Sequence, residues 1–455
     1  MSESQFAAID EQKLQSFHVR AMLVTGLGVF CDGYDLSAIA LVLRPVLHSY
    51  GIEKMTNLEA GALSATALLG SIVGALIFGQ IAQKGRKRVY GIDALILGVA
   101  ALAQAFMPSL GWLIACRFIL GIGVGADYVL SPVIMAEHAN RKDRGKTLGL
   151  GFGTMWPIGA LAAALFKLLL DAFHVPPDLV WKIVLAAGAL PALGVMYFRR
   201  SMPESARFLA KLAADQAQAT EVMREVGGAA ATAPGADTRP FGQVFALHWR
   251  HIFAAALLWL MYDLVVYASI LFGPNLIAEN LHIPATIFQI ESELLFVLPA
   301  SVLGSWFLID RVGRKPIQVW GFIIGAVVLV AFAVLRSQFA NLALLAFLIY
   351  GLFNIALTGP GLVSGAGIYG VELAPTRIRS VAQSITVIGG RIGAALSGFV
   401  FPIVQGQIGF VGAMWGLAGL SLAGGVLSYL LVPETSSRSL EEINPEQAPI
   451  AKVAA

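Results

Sequence analysis

Apolar segments of about 20 residues follow one another along almost the whole chain, and short polar connections separate them. A helix needs roughly 20 apolar residues to cross the hydrocarbon core of a bilayer. The pattern therefore predicts an all-α membrane protein with twelve transmembrane helices. The predicted spans are residues 19–43, 58–82, 89–108, 110–137, 145–172, 179–199, 250–278, 285–309, 316–336, 340–371, 380–404 and 408–432.

The longest polar stretch lies between the sixth and seventh segments and includes Ala229–Pro240. It divides the chain into two sets of six helices. The predicted units are an N-terminal bundle at 1–199, a cytoplasmic linker at 200–248, a C-terminal bundle at 249–433 and a cytoplasmic tail at 434–455.

Composition agrees with a membrane protein and excludes several other classes. Hydrophobic residues make up 57% of the chain and charged residues 13%, whereas soluble proteins carry about 25% charged residues. Cys31 and Cys116 both lie in apolar segments, so no disulfide framework or CxxC metal site is indicated. Neither metal-ligand spacing nor a phosphate-binding P-loop occurs in the sequence. We therefore expect no enzyme, metal site, cofactor or nucleic-acid partner.

Lysine and arginine are distributed unequally between the two sets of connections. The richer set would be cytoplasmic, because positive charge favours that side. This predicts an inner-membrane protein with both termini in the cytoplasm, and we expect a monomer. The richer set holds Lys84, Arg86–Arg88, Arg141, Lys142, Arg144, Lys146, Arg199, Arg200, Arg207, Arg311, Arg314, Lys315, Arg377 and Arg379; the other holds Arg44, Lys54, Lys182 and Arg336.

Two short motifs recur about half a chain apart. Gly85-Arg86-Lys87 returns as Gly313-Arg314-Lys315, and Pro203-Glu204-Ser205 returns as Pro433-Glu434-Thr435. Such a repeat indicates two pseudo-symmetric six-helix bundles, with a substrate site between them near the middle of the membrane.

The loop stretch Asp310-Arg311-Val312-Gly313-Arg314-Lys315 and the pattern Arg117-x-x-x-Gly121-x-Gly123-x-Gly125 resemble motifs of the major facilitator superfamily. The first-half copy of the loop, Gln83–Lys87, lacks the aspartate of that motif. The resemblance implies the fold of that superfamily, with transport by alternating access.

Charged residues at the ends of the spans suggest a cytoplasmic gate. Glu137 lies close in sequence to Arg144, and Glu372 and Arg379 repeat this arrangement. Together with the loop residues Arg86, Asp310 and Arg314, these charges could hold the helix ends together in one state. Alternatively, they anchor the helices at the membrane surface by snorkelling.

Ionisable residues inside predicted spans indicate a transport pathway, because an unpaired charge there is costly. Asp32 and Asp35 share one helical face, where two carboxylates cannot both ionise cheaply, so at least one is predicted to carry a proton. Arg117 needs a carboxylate partner, and Asp35 is the expected one. In the alternative interpretation, one aspartate caps a helix break and the other forms a structural ion pair.

Spans four, seven and eleven supply further polar residues. Asp127 and Tyr128 follow the glycines of span four, and Trp259, Asp263 and Tyr267 form one stripe of span seven. Tyr262 lies beside that stripe, and Arg391 is the central cation of the second half. An aspartate in the middle of an aromatic stripe favours a cavity wall; the resemblance of these segments to phosphate:proton symporters further implies that Asp127 and Asp263 handle protons or phosphate and that Tyr128, Trp259 and Tyr267 line the site. Arg391 would contact an anion or neutralise Asp263.

A narrower resemblance concerns the substrate. Asp127-Tyr128-x-Leu130-Ser131 and the Trp259/Asp263/Tyr267 stripe resemble phosphate:proton symporters, whereas Asp32-Gly33-Tyr34-Asp35 resembles aromatic-acid:proton symporters and adds Tyr34 to the predicted site. The phosphate pattern breaks at Met155, where that branch has glutamine, and at Gly359–Ser364, which lacks its asparagine. Losing two hydrogen-bonding groups favours a larger organic anion that Trp156 would contact.

The sequence therefore predicts a proton-coupled symporter of a small anion, either an organic acid or a phosphate-like one. A sugar or other metabolite porter, an efflux antiporter and a transporter-like receptor are the alternatives. Symport, antiport and reception share this fold, so the fold alone does not separate them. The expected partners are the solute, protons and membrane lipids.

Overall fold

The computed structural model describes residues 6–52, 57–227, 233–281, 284–338 and 342–445. Within these ranges the protein is helical, and ten helices are long and apolar enough to cross a membrane. Parts of the predicted linker (228–232) and tail (446–455), and Lys54 among the predicted outer charges, lie outside the described residues.

The spanning helices of the first half are α1 (Ser16–Ser49), α2 (Asn57–Ile81), α3 (Ile92–Gln104), α4 (Leu110–His138), α5 (Arg144–Ala172) and α6 (Pro177–Arg200). Those of the second half are α7 (Phe241–Leu281), α8 (Ala285–Leu308), α9 (Arg314–Leu335) and α10 (Leu344–Glu372), followed by the continuous helix Arg379–Leu431.

The last continuous helix supplies two spans because it changes direction at Gly409. This residue has φ 74° and ψ 172°, a backbone conformation that favours glycine. We call its two parts α11 (379–408) and α12 (410–431). With the shorter α3, which has 13 residues, the arrangement is consistent with the twelve predicted spans.

Two helices are longer than the hydropathy pattern predicts. α1 continues past residue 43 to Ser49, although it contains Pro45. α7 begins at Phe241, inside the range predicted as linker. The remainder of that range contains the short helices Ala206–Lys211 and Gln216–Gly227.

Polar and apolar residues are distributed as a membrane environment requires. Large apolar side chains such as Leu190, Trp415 and Val99 are exposed on the outside of the bundle, whereas Arg117 and Arg391 are buried within it. In a bilayer the outer face contacts lipid, and charged groups face the interior of the bundle.

Small residues allow the helices of the first half to approach closely. Gly121 and Gly125 of α4 lie directly against the backbone oxygens of Ala67 and Ser71 in α2, where a side chain would collide. Such close packing is common between membrane helices, which gain little from burying apolar surface. The glycines of the fourth-helix motif therefore fix the spacing of α2 and α4.

The two halves meet along two pairs of helices. α11 contacts α2, where the Ser384 hydroxyl donates to the Ala75 carbonyl at 2.7 Å, and α5 contacts α8, where the hydroxyls of Thr154 and Ser301 are 2.7 Å apart. Because each pair joins one helix from each half, the space between the halves is enclosed on two sides. The candidate site lies in this space.

Candidate functional site

A cavity with a volume of about 130 Å³ lies between the two halves. This is similar to the roughly 150 Å³ of an engineered cavity that admits benzene, so it suits a small solute. It brings together most of the residues that the sequence predicts for substrate binding, together with Asp263. These are Tyr128 of α4, Trp156 of α5, Trp259, Tyr262, Asp263 and Tyr267 of α7, and Arg391 of α11.

Asp32 joins the two halves beside this cavity. Its Oδ2 atom accepts hydrogen bonds from the Tyr128 hydroxyl at 2.8 Å and the Trp156 indole N–H at 3.3 Å, both in the first half. The same oxygen lies 3.3 Å from the Arg391 guanidinium of the second half. One buried carboxylate oxygen is therefore shared by three donors from three helices.

Arg391 is held by aromatic residues as well as by Asp32. It donates to the Tyr267 hydroxyl at 2.9 Å, and its guanidinium carbon lies 4.0 Å from the centre of the Tyr128 ring. Its Nε atom and the Oδ2 atom of Asp263 have no hydrogen-bond partner among the described residues. A donor and an acceptor thus remain free among the residues that line this cavity.

The second acidic residue of α1, Asp35, forms a separate ion pair with Arg117. Asp35 Oδ2 lies 3.0 Å from Arg117 Nη1, and Gln104 bonds to both partners. The structure therefore contains the predicted pair. Tyr34 does not line the cavity; its hydroxyl donates to the Val184 carbonyl at 2.9 Å, and its ring packs against α6.

Asp127 also lies away from the cavity. It forms a buried ion pair with Arg199 of α6, which also pairs with Asp93 of α3. The Ser131 hydroxyl donates to Asp127 at 2.6 Å. Arg199 and Asp93 were not predicted as site residues. Asp93, an acidic residue inside the predicted third span, is the signal that could have identified the pair; Arg199 lies in the last turn of its helix and was counted among the connection charges.

Several polar cavity residues were also missed. Gln289 and Glu293 of α8 and Asn354 and Thr358 of α10 line the cavity. Glu293 is an acidic residue within an apolar span, so the rule that identified Asp263 applies to it equally. Asn354 and Thr358 supply polar groups on α10, the helix in which the stretch Gly359–Ser364 lacks the asparagine of the phosphate pattern.

The two departures from the phosphate pattern have different structural consequences. The Met155 side chain packs against Gly26 of α1, and Met155 is not among the residues that line the cavity. Leu362 does line the cavity. Only the second departure therefore makes the wall of the cavity less polar.

The charged residues at one end of the helices form two similar clusters. We call this the basic end, defined by Arg86, Arg144, Arg314 and Arg379. Glu137 Oε1 lies 2.9 Å from Arg86 and 2.8 Å from Arg379. Glu372 Oε1 lies 2.6 Å from Arg144 and 3.3 Å from Arg314. Each glutamate therefore pairs with one arginine of each half.

These pairs differ from the grouping that the sequence suggested. Glu137 does not pair with its sequence neighbour Arg144, and Glu372 does not pair with Arg379. Instead, the partners are exchanged between the halves. The physical reason is that α5 and α11 start at the line of contact between the two halves, which we call the seam, so Arg144 and Arg379 at their first positions bond to residues of the other half. The exchanged pairs close the basic end below the cavity.

Asp310 of the loop motif extends the same closure. Its carboxylate accepts from the backbone N–H groups of Gly145 and Lys146 at 3.1 and 2.7 Å, which begin α5 in the other half. It also lies 2.7 Å from Arg314. An anion at the start of a helix satisfies N–H groups that have no partner within the helix.

Arg207 connects the chain ends to this closure. It donates to Asp10 at 2.7 Å, to Glu441 at 2.8 Å and to the Glu137 carbonyl at 2.6 Å. Burial raises the pKa of the Glu441 carboxyl, but the charge of Arg207 and its hydrogen bonds lower it more, so the net pKa lies below its usual range. Segments before α1 and after α12 are thus tied together.

The helical architecture and the polar cavity between two halves define a transporter of the major facilitator superfamily. The backbone superposes on that of the proton:xylose symporter XylE bound to 6-bromo-6-deoxy-D-glucose with a TM-score of 0.81, at 20% identity, covering 94% of this chain and 98% of the other. An inward-open structure of the xylose transporter XylE from E. coli gives a TM-score of 0.67 at 22% identity, covering 94% and 99%.

The chain belongs to the sugar (and other) transporter family, whose model matches residues 21–446. It is 30% identical to the probable inorganic phosphate transporter 1-6 of Arabidopsis thaliana, over 97% of this chain and 96% of that protein. It is 32% identical to the inorganic phosphate transporter 1-6 of Oryza sativa subsp. japonica, over 96% and 94%. The relatives that it matches are transporters and not enzymes.

Proposed function

We propose that this protein is a proton-coupled symporter of a small oxyanion, with inorganic phosphate as the first candidate. The observation that carries the proposal is the Asp32–Arg391 pair, which joins the two halves beside the cavity. The names of its plant relatives support phosphate. Its likeness in fold to a proton:xylose symporter supports proton coupling.

Competition for Arg391 explains how a proton and an anion are coupled. In the structure the Arg391 charge is balanced by Asp32, and an entering anion would have to compete with that carboxylate. A proton on Asp32 removes the competitor and leaves a buried guanidinium that needs a new counter-charge. The anion and the proton therefore bind better together than either binds alone.

Asp263 extends the same logic. Its free Oδ2 atom would repel an anion in the cavity when ionised, and it would donate a hydrogen bond to one when protonated. Tyr128 contacts both Asp32 and Arg391, and Tyr267 contacts Arg391, so the contacts of both tyrosines would change when Arg391 exchanges Asp32 for an anion. Asp35, Arg117 and Asp127 would act from outside the cavity, as buried charged groups that adjust the helix positions.

The exchanged ion pairs at the basic end would serve as the gate. Positive charge favours the cytoplasmic side of a membrane, so we assign the basic end and both termini to the cytoplasm. We assign the protein to the inner membrane. Opening this end requires Glu137 to leave Arg379 and Glu372 to leave Arg144. Proton and anion binding between the halves would change the relative stability of the two states.

A small organic carboxylate is the second candidate substrate. Leu362, Val266 and Trp156 give the cavity an apolar wall, which inorganic phosphate does not need and which an organic acid would contact. A neutral sugar fits less well, because it offers no counter-charge to Arg391.

Uptake into proteoliposomes tests the proposal. We expect phosphate to accumulate when a pH gradient is imposed, and not when the gradient is collapsed. Asp32→Asn and Asp263→Asn should abolish accumulation. Asp171→Asn is the matched control, because Asp171 pairs with Lys167 at 2.7 Å and is partly exposed, away from the cavity.

Two results would contradict the proposal. Accumulation that survives in both cavity variants would remove their role in coupling. Thermal stabilisation of the purified protein by neutral sugars, with no effect of phosphate or organic acids, would overturn the choice of an anion.

A further inference from the structure

A second polar group lines the cavity from α8, apart from Asp32 and Arg391. Glu293 is 4% exposed and begins a π-helical turn, Glu293–Val297, within that helix. Such turns occur often at functional sites. The Gln289 amide donates to Glu293 Oε1 at 2.8 Å. The other carboxylate oxygen, Oε2, has no hydrogen-bond partner among the described residues.

No basic side chain compensates Glu293 in the described part of the chain. Besides its own helix, the turn packs against α5 and α10. The titratable groups of their facing segments are Tyr350 in α10 and, in α5, Lys167 and Asp171, which pair with each other at 2.7 Å. A buried carboxylate without a cation is costly, and only one of the two oxygens of Glu293 has a donor. Its free oxygen therefore needs a donor from the molecule that enters the cavity.

We propose that Glu293, oriented by Gln289, forms a subsite that accepts a hydrogen bond from an O–H group of the substrate. The substrate class is then an oxyanion that also carries a hydroxyl: hydrogen phosphate, or a hydroxy-carboxylate. Arg391 takes the charged oxygens and Glu293 takes the O–H. The inference rests on the proposed function for its choice of an anion, and it adds the chemical feature that distinguishes accepted anions from rejected ones.

The chemistry predicts a clear choice between two tetrahedral anions. At neutral pH phosphate retains at least one O–H group, whereas sulfate retains none. When Glu293 is ionised its free oxygen is an acceptor only, so it would meet a sulfate oxygen lone pair to lone pair. Sites built to bond a hydroxyl reject analogues that lack it by large factors. Malate and succinate, which differ by one hydroxyl, should be separated in the same sense.

The test measures binding of phosphate, sulfate, malate and succinate to the purified full-length protein by calorimetry and thermal shift. At a pH high enough to ionise Glu293, we expect wild-type protein to prefer phosphate over sulfate by at least about 100-fold. Glu293→Gln should reduce that preference by about tenfold or more, because the amide N–H can donate to sulfate. Glu291→Gln is the matched control: it makes the same change on the same helix at an exposed position.

The outcomes separate this inference from the proposed function. Wild-type protein that binds sulfate as well as phosphate, or Glu293→Gln protein with unchanged preference, overturns the subsite even if phosphate uptake is proton-driven. Retained preference without proton-driven uptake overturns the symport proposal and leaves the subsite standing. Binding of none of the four anions overturns both. If Glu293→Gln does not fold, Glu293→Asp should bind phosphate more weakly and still reject sulfate.

Discussion

The gate proposal makes a quantitative prediction for Glu137→Gln. In the structure Glu137 lies between Arg86 and Arg379, and all three side chains are at most 1% exposed. Removing one partner of a buried ion pair costs about 3–5 kcal/mol, because the remaining charge is buried without compensation. Arg86 belongs to the same half as Glu137, so Glu137→Gln leaves it unpaired whether the basic end is closed or open. Arg379 is separated from Glu137 only when the basic end opens.

Only the cost of leaving Arg379 unpaired differs between the closed and the open basic end, so we take the lower value of the range of about 3–5 kcal/mol for that difference. A difference of about 3 kcal/mol shifts the equilibrium roughly 100-fold toward the open basic end. Glu137→Gln/Arg379→Gln should shift it less than Glu137→Gln alone, because the second change removes the uncompensated charge. By pseudo-symmetry, Glu372→Gln should resemble Glu137→Gln.

Labelling of a buried cysteine measures this shift. Ser380 is 1% exposed and donates to the Gly79 carbonyl across the seam at 3.1 Å. In a chain with Cys31→Ala and Cys116→Ala, Ser380→Cys should react with a maleimide only when the basic end is open. We expect Glu137→Gln to raise the labelling rate by up to about 100-fold, in proportion to the open fraction.

The control is Glu434→Gln. Glu434 accepts from the backbone N–H groups of Arg314 and Lys315 in its own half, at 3.0 Å each, so its loss should not favour opening. An unchanged labelling rate in Glu137→Gln, or an equal rise in Glu434→Gln, would refute the assignment of Glu137 to the gate.

Three further outcomes can be checked by thermal unfolding of the purified protein. Gly33→Ala should destabilise it by about 1–3 kcal/mol, since the new methyl group would meet the Trp156 backbone oxygen. Gly416→Ala is the control and should not destabilise the protein, because no neighbouring atom lies within 4 Å of the position of its new methyl group. Equal effects of the two changes would contradict the packing argument. Arg117→Gln should cost about 3–5 kcal/mol by leaving Asp35 unpaired, and Asp35→Asn in the same chain should restore part of it; strictly additive losses would argue against the pair. The Glu441 carboxyl has a lowered pKa in the folded protein, so its stabilisation is fully present above roughly pH 4.3, the usual unfolded pKa, and is lost as the pH falls through the lower folded pKa. Glu441→Gln should therefore be less stable than wild type at pH 7 and equally stable in acid. A stability difference that persists in acid would contradict this sign.

The sequence was most informative where an energetic rule acts on single residues. A charged side chain within an apolar helix needs a reason to be there, and this rule identified Asp32, Asp263 and Arg391, all of which the structure places in or beside the cavity. The same rule, applied to Glu293 and Asp93, would have identified two more buried acidic residues. Both were therefore within reach of the sequence pattern.

Partner choice is different, because it depends on where helices distant in sequence come together. Sequence proximity grouped Glu137 with Arg144, yet each bonds across the seam to a residue of the other half. Asp127, next to the cavity residue Tyr128, points away from the cavity and pairs with Arg199. Neighbouring residues on a helix point about 100° apart, so adjacency in sequence does not imply a shared site.

The membrane class of the protein, its charge asymmetry and its half-chain repeat can be read from the sequence, because the cost of burying polar groups in lipid acts on every segment separately. Which carboxylate meets which arginine, which aromatic residues enclose the cavity and which polar atoms remain free were decided only by tertiary packing. Those features arise from contacts between different helices, with separations that range from 51 residues for Arg86 and Glu137 to 359 for Asp32 and Arg391, and no local pattern specifies them.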